Sequence, residues 1–306
     1  MDIIRTEGLT KKYGSFTAVD GISFTVEKGT LAGFLGVNGA GKSTTVNMLS
    51  TLIEPDGGTA EICGMQLGKD NGEIRRRIGI VYQQNCLDDI LTVRENLICR
   101  GVLHGASKKK AAESLERLSG ILTLDDILGK RYGTLSGGQK RRCEIAAALM
   151  HTPEILFLDE PTTGLDPATR KDVWKTVEDL RKNTGMTVFL TTHYMEEAAA
   201  AGKIIIIGKG RIIDSGTPFE LKEKYASDHV RIFCKPEAAG RISDTLAGMG
   251  FAPERTDLGL DFPVSSTMNA IEPLNAVRAL ADGFEVLQGT MDDVFLNAAG
   301  GVSPEK

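Results

Sequence analysis

Short apolar runs alternate with stretches of helical periodicity along the first 217 residues. Runs rich in β-branched and aromatic side chains predict strands over 23–26, 31–35, 78–81, 155–158, 187–191 and 203–207. Between them, apolar positions recurring every three or four residues predict helices over 42–52, 92–103, 108–118, 138–150, 167–183 and 195–201. In the fifth helix Val173, Trp174, Val177 and Leu180 share a face, so the lone tryptophan is expected in the core. Strand and helix in alternation argue for a layered α/β architecture.

The texture changes at Gly216-Thr217-Pro218. A short charged helix should run through Tyr225, followed by a strand over 229–235 and a helix over 236–249. An extended pair between 251 and 265, a helix over 270–281, a strand over 284–287 and a helix over 292–299 complete the pattern. Residues 218–306 are therefore expected to form a small β-α-β-β-α-β appendage to a larger domain over 1–217.

Composition adds exclusions. With 41% hydrophobic and 25% charged residues, the chain is neither disordered nor collagen-like. No apolar run approaches the roughly 18–20 residues that cross a bilayer. The opening Met1-Asp2-Ile3-Ile4-Arg5 lacks the pattern of a secretory signal, which leads us to expect a cytosolic chain unless a partner holds it elsewhere. Five scattered cysteines and four histidines show neither paired nor ligand spacing, arguing against a disulfide frame or zinc site. The net charge of −5 lies in residues 221–306, with 8 Lys+Arg against 13 Asp+Glu. The first 220 residues carry 28 of each, so no nucleic-acid partner is expected. For the same reason the triplets Arg75-Arg76-Arg77, Lys108-Lys109-Lys110 and Lys140-Arg141-Arg142 read as solvated helix faces.

Candidate chemistry is concentrated in two places. Gly36-Val37-Asn38-Gly39-Ala40-Gly41-Lys42-Ser43-Thr44 follows an apolar strand and opens a helix, the context of a phosphate-binding P-loop. Glycines let successive backbone N–H groups curl around one anion, and the helix N-terminus adds its dipole. Lys42 would reach the β- and γ-phosphates of a nucleotide, and the Ser43 hydroxyl could ligate Mg²⁺. The second place is the end of the strand Ile155-Leu156-Phe157-Leu158, which delivers Asp159 and Glu160. Asp159 would hold the Mg²⁺ directly or through water, and Glu160 would polarise the attacking water.

Leu135-Ser136-Gly137-Gly138-Gln139 narrows the choice, because it resembles the signature of ATP-binding cassette (ABC) ATPases. Other residues fall in that family's order. Tyr13 resembles the aromatic that stacks on adenine. Gln83, preferred on register to Gln84, resembles the glutamine that senses Mg²⁺ and the γ-phosphate. Asp166 in Gly164-Leu165-Asp166 resembles the loop crossing between two nucleotide sites, and His193 resembles the switch histidine. The resemblance implies an α/β fold: an ABC-type P-loop NTPase core, a helical subdomain over about 84–150, and the small α+β appendage. It further implies ATP and Mg²⁺ as ligands, with Glu160, His193, Gln83 and Lys42 catalytic. Ser136 and the amides that follow would act in trans, on the nucleotide of a second copy, in a head-to-tail homodimer. Val37 stands where proline is frequent and Ala147 where many members have arginine; neither removes a catalytic group.

One cassette, a compact insert and no zinc site favour a transporter subunit over DNA-repair or translation relatives. The segment 83–97, the basic Lys140-Arg141-Arg142 after the signature and Thr290-Met291-Asp292-Asp293-Val294-Phe295-Leu296 resemble ATPase subunits of bacterial drug and antibiotic exporters with separate membrane subunits, and polysaccharide, lipid or sodium exporters of similar architecture stay open. This implies an integral membrane permease as partner, docked on the insert around 86–103, and a peripheral position on the cytoplasmic face of the membrane. A soluble ABC regulator is the alternative; a small-molecule kinase would have no use for the signature.

Overall fold

The apolar runs become the inner strands of a parallel sheet, covered on both faces. The computed structural model describes residues 1–300, which divide into two units, Met1–Thr217 and a second beginning at Pro218. The first opens with paired twelve-residue strands, β1 (Asp2–Tyr13) and β2 (Phe16–Glu27). β3 (Leu31–Leu35), α1 (Lys42–Leu49), β4 (Gly57–Ile62), β5 (Met65–Gln66), α2 (Asn71–Arg77) and β6 (Ile78–Val81) follow. A helical insert carries α3 (Val93–Leu103), α4 (Lys108–Leu122) and α5 (Gly137–Leu149). β7 (Ile155–Asp159), α6 (Pro167–Thr184), β8 (Thr187–Thr192), α7 (Met195–Ala198), β9 (Lys203–Gly208) and β10 (Arg211–Gly216) complete the unit.

The main sheet has the order β10-β9-β3-β8-β7-β6. All neighbours are parallel except the edge strand β10. Every residue of β3, β7 and β8 is buried, which is why these strands read as continuous apolar runs. A second, antiparallel sheet has the order β2-β1-β4-β5. Sequence periodicity showed only a fragment of it, because register shifts at four places along β1 and β2 interrupt the two-residue alternation. Phe24 of β2 packs within 6.0 Å of Phe34 and Phe189, and Phe189 within 5.5 Å of Phe157, joining the two sheets. Each such pair contributes about 0.5–1.5 kcal/mol beyond area burial.

α6 buries Val173, Val177 and Leu180. Trp174 departs from the core expectation. It lies one position round the helix from Val173, is only half-buried, and lines a cleft of about 840 Å³ with Arg170, Arg181 and Glu197. Among the described residues its indole N–H has no hydrogen-bond partner.

In the insert, Thr92 and Ser136 each close a reciprocal capping box, with Glu95 and Gln139. His104, ending α3, stacks on His151 at 3.9 Å between ring centroids. Burial, helped by His104 and opposed by a hydrogen bond to the Ile78 carbonyl, pulls His151 from 6.5 to about 4. A depressed value means that stability present above pH 6.5 is lost as pH falls towards about 4, while the unfolded chain takes up the proton. Thermal melts of wild type and His151→Gln should therefore diverge in slope across that window, the wild type losing more. Equal slopes would contradict the assignment.

The second unit contains α8 (Pro218–Tyr225), β11 (Asp228–Phe233), α9 (Pro236–Gly248), β12 (Glu254–Thr256), β13 (Gly259–Val264), α10 (Ile271–Val277), β14 (Gly283–Leu287) and α11 (Met291–Gly300). Its antiparallel sheet, β12-β13-β11-β14, is the split β-α-β-β-α-β arrangement, packed on Ile242 and Leu246 of α9. Positions 301–306 of the expected appendage lie outside the described residues. No helix among the described residues is long and apolar enough to cross a membrane.

Candidate functional site

Strand register brings the chemistry to one edge. Leu35 lies opposite Thr192, Asp159 opposite Thr191, and Val81 opposite Leu158. Four neighbouring parallel strands thus end level, and the segments holding Lys42, Gln83, Glu160 and His193 leave from their carboxyl ends.

The loop after β3 is forced by its glycines. Gly41 has φ 107°, and a Cβ there would stand 2.6 Å from the Ala18 carbonyl oxygen; one at Gly36 would stand 2.6 Å from that of Ile207. Lys42 is 4% exposed. Its Nζ donates to the carbonyls of Gly36 (2.7 Å) and Val37 (3.3 Å) and lies 3.2 Å from Glu160 Oε1. A cation held by backbone carbonyls at a helix N-terminus is a pre-formed place for an anion. Asn38 and Gly39 lie on the same loop, and Thr44 in the first turn of α1. Ser43 Oγ donates to Asp159 Oδ1 at 3.2 Å, and Thr191 Oγ1 donates to the same oxygen at 2.5 Å.

Glu160 is buried with φ 46°, a left-handed conformation that costs about 1–2 kcal/mol outside glycine. The turn is held by its N–H, which donates to the Thr191 carbonyl (3.0 Å) and to Thr191 Oγ1 (3.1 Å). Glu160 Oε2 accepts from Thr163 Oγ1 at 3.1 Å and lies 3.5 Å from Gln83 Nε2. His193 Nδ1 comes within 3.3 Å of the same oxygen, off the line of a hydrogen bond. One carboxylate is therefore the meeting point of Lys42, Gln83 and His193.

Other expected site residues stand elsewhere. Tyr13 is half-exposed at the tip of the β1–β2 hairpin. Asp166 caps α6 through the N–H groups of Ala168 and Thr169; the Thr169 hydroxyl, then backbone N–H groups, hold its carboxyl below the usual range. Ser136, Gly138 and Gln139 line a separate cleft of about 480 Å³ with Thr169 and Asp172, and Gly137 begins α5 beside Leu165. Among the described residues, the signature makes no hydrogen bond to the Lys42–Glu160 pair.

Several participants went unread in the sequence. In the sequence Thr191 reads only as the approach to His193, although a polar residue inside a fully buried strand is a signal. Arg141 was expected on a solvated face; it is 4% exposed, and burial pulls it down to about 10. It donates to the carbonyls of Tyr82 (2.5 Å) and Asp159 (3.4 Å). Glu144 Oε1 accepts the N–H groups of Cys86 and Leu87 and the Tyr132 hydroxyl. Buried Arg141 and Glu144 thus tie α5 to the chain on the two sides of Gln83, Arg141 to Tyr82 before it and Glu144 to Cys86 and Leu87 after it.

Residues 19–163 match the ABC transporter family. The chain is 39% identical to the daunorubicin/doxorubicin resistance ATP-binding protein DrrA of Streptomyces peucetius, over 97% of this chain and 92% of that protein. It belongs to the ABC transporter ATP-binding proteins. Solved ABC cassettes share the fold. One is cbiO1 of Clostridium perfringens, part of the ABC transporter complex cbiONQ, with a TM-score of 0.67 and 25% identity over 81% of this chain and 97% of that one. Another is a dimeric post-hydrolysis state of the cassette MJ0796 bound to ADP and Pi, with a TM-score of 0.62 and 28% identity over 70% and 98%. As an ABC ATPase, the chain binds and hydrolyses ATP.

Proposed function

We propose that this chain is the motor of a bacterial exporter, with two copies closing head to tail on two Mg-ATP and driving a separate integral membrane permease. The observation that carries the reading is the single edge at which Lys42, Ser43, Asp159, Glu160, Gln83 and His193 converge, while Ser136 and its neighbours line a different cleft of the same chain. A nucleotide on the P-loop then needs a second copy to meet a signature. The dimeric state of the MJ0796 cassette bound to ADP and Pi supports two copies acting together.

Lys42 is the cation for the β- and γ-phosphates. Its ion pair with Glu160 gives way to phosphate, freeing the carboxylate to take a proton from water. His193 and Gln83, both beside Glu160 Oε2, are placed to orient that water and the terminal phosphate. Tyr13 is the adenine platform, and Asp166 belongs to the loop facing the other copy. Ser43 Oγ and Asp159 Oδ1 form a pair of hard oxygen donors, with Gln83 as the third candidate ligand. Two protein oxygens at the phosphate loop suit Mg²⁺, which is held by one or two carboxylates and shared with phosphates and water. When bound, Mg²⁺ would neutralise charge on the phosphates.

The drug-resistance name of the relative over nearly the whole chain supports a drug- or antibiotic-like cargo, carried by the permease. The motor would then sit peripherally on the cytoplasmic face, with the insert around 86–103 as its docking surface and no role for nucleic acid. Mixing Lys42→Ala chains with Ser136→Arg chains tests the shared site. Hybrids with one intact site should retain more ATP than either parent alone; equal retention would sink the trans role of Ser136. Co-expression with the permease should move the chain to the membrane fraction, and reversing Asp88 and Asp89 should weaken that shift while sparing ATP binding.

A further inference from the structure

Glu197 lies on the short helix α7 and is 5% exposed. Its two carboxylate oxygens are taken by hydroxyls from two different loops. Oε1 accepts from Thr162 Oγ1, and Oε2 accepts from Thr192 Oγ1 at 2.5 Å. Thr162 stands two residues after Glu160, on the segment leading to Asp166. Thr192 immediately precedes His193, and its oxygen also accepts the Tyr194 N–H at 2.9 Å. Both threonines are 1% exposed. No cation pairs with Glu197 among the described residues, so hydroxyl donors offset the cost of burying this carboxylate.

We propose that Glu197 is a positioning residue for ATP hydrolysis, tying the loop after Glu160 to the loop that carries His193. This rests on the hydrolytic reading of the site. Among the described residues Glu197 makes no hydrogen bond or ion pair with Glu160 or His193; it acts through the threonine neighbours of each. The two loops leave adjacent strands, β7 and β8, and their tips must hold Glu160 Oε2 and His193 Nδ1 3.3 Å apart. The last register pair is Asp159 opposite Thr191, and the last backbone hydrogen bond between the strands runs from the Glu160 N–H to the Thr191 carbonyl at 3.0 Å. Beyond that bond, the forked carboxylate links Thr162 of one loop to Thr192 of the other. Without it, two buried hydroxyls lose their acceptor and the loops are free to shift. Displacements near 1 Å cost about 10²-fold in rate when they separate catalytic groups.

The test uses the purified full-length chain, measuring kcat and KM for ATP and, separately, affinity for a fluorescent ATP analogue. Glu197→Ala should lower kcat by about 10- to 10²-fold with analogue affinity unchanged. Glu197→Gln should recover most of the rate, because its amide oxygen accepts from one threonine while its NH₂ donates to the other. Thr162→Val and Thr192→Val should each lower kcat, and neither should add its full loss to that of Glu197→Ala. Full kcat in Glu197→Ala, or parallel loss of kcat and affinity without rescue by Gln, would overturn the proposal. Should Glu197→Ala fail to fold, the near-isosteric valine variants decide, full kcat in both overturning it. A wild type that binds ATP without hydrolysing it would overturn the hydrolytic reading as well, a result distinct from an active wild type with active variants.

Discussion

Glu160→Gln is expected to cut ATP turnover by about 10²- to 10⁴-fold, the usual contribution of a positioned general base. The amide keeps the shape of the carboxylate, so the left-handed turn and its bonds from the Glu160 N–H to Thr191 survive. It cannot take a proton from water. ATP binding should be retained or strengthened, because a bound phosphate no longer competes with the Glu160 carboxylate for Lys42. Single-turnover hydrolysis and equilibrium nucleotide binding, measured on the same preparation, check both halves. Retained turnover would move the base role elsewhere, and lost binding would point to a structural role.

Lys42→Ala is expected to act at the earlier step. Removing one member of a buried charge pair costs about 3–5 kcal/mol. Carried into phosphate binding, that is about 10²- to 10⁴-fold in ATP affinity. The substitution also leaves the buried Glu160 without its cation and frees the Gly36 and Val37 carbonyls. Titration calorimetry with ATP is the check. Affinity within a few-fold of wild type would mean that the loop backbone alone holds the phosphates.

The fold was legible where burial is complete. β3, β7, β8 and β9 bury nearly every side chain, so their sequences announce them without periodicity. The antiparallel sheet was not, because shifted register along β1 and β2 breaks the alternation on which such a reading depends. The appendage carried enough alternating texture to give its strand–helix order, although β12 shrinks to three residues. Lys42, Ser43, Asp159 and Glu160 announced themselves as candidates because local spacing carries their chemistry. What escaped notice acts across loops. Arg141 looked like one cation in a basic triplet, and only tertiary structure sends it inward to Tyr82 and Asp159. Thr162 and Glu197 had no local pattern at all, and Thr191 offered only a polar residue within a buried apolar run. Their meaning lies in strands far apart in sequence ending side by side.

ATP is expected to close two copies head to tail. Light scattering on Glu160→Gln, with and without Mg-ATP, tests this most directly. The expected result is a mass of one chain without nucleotide and of two chains with it, holding two ATP, and no such doubling when Ser136→Arg is added. A mass of one chain at every ATP concentration, alone and beside the membrane partner, would contradict it.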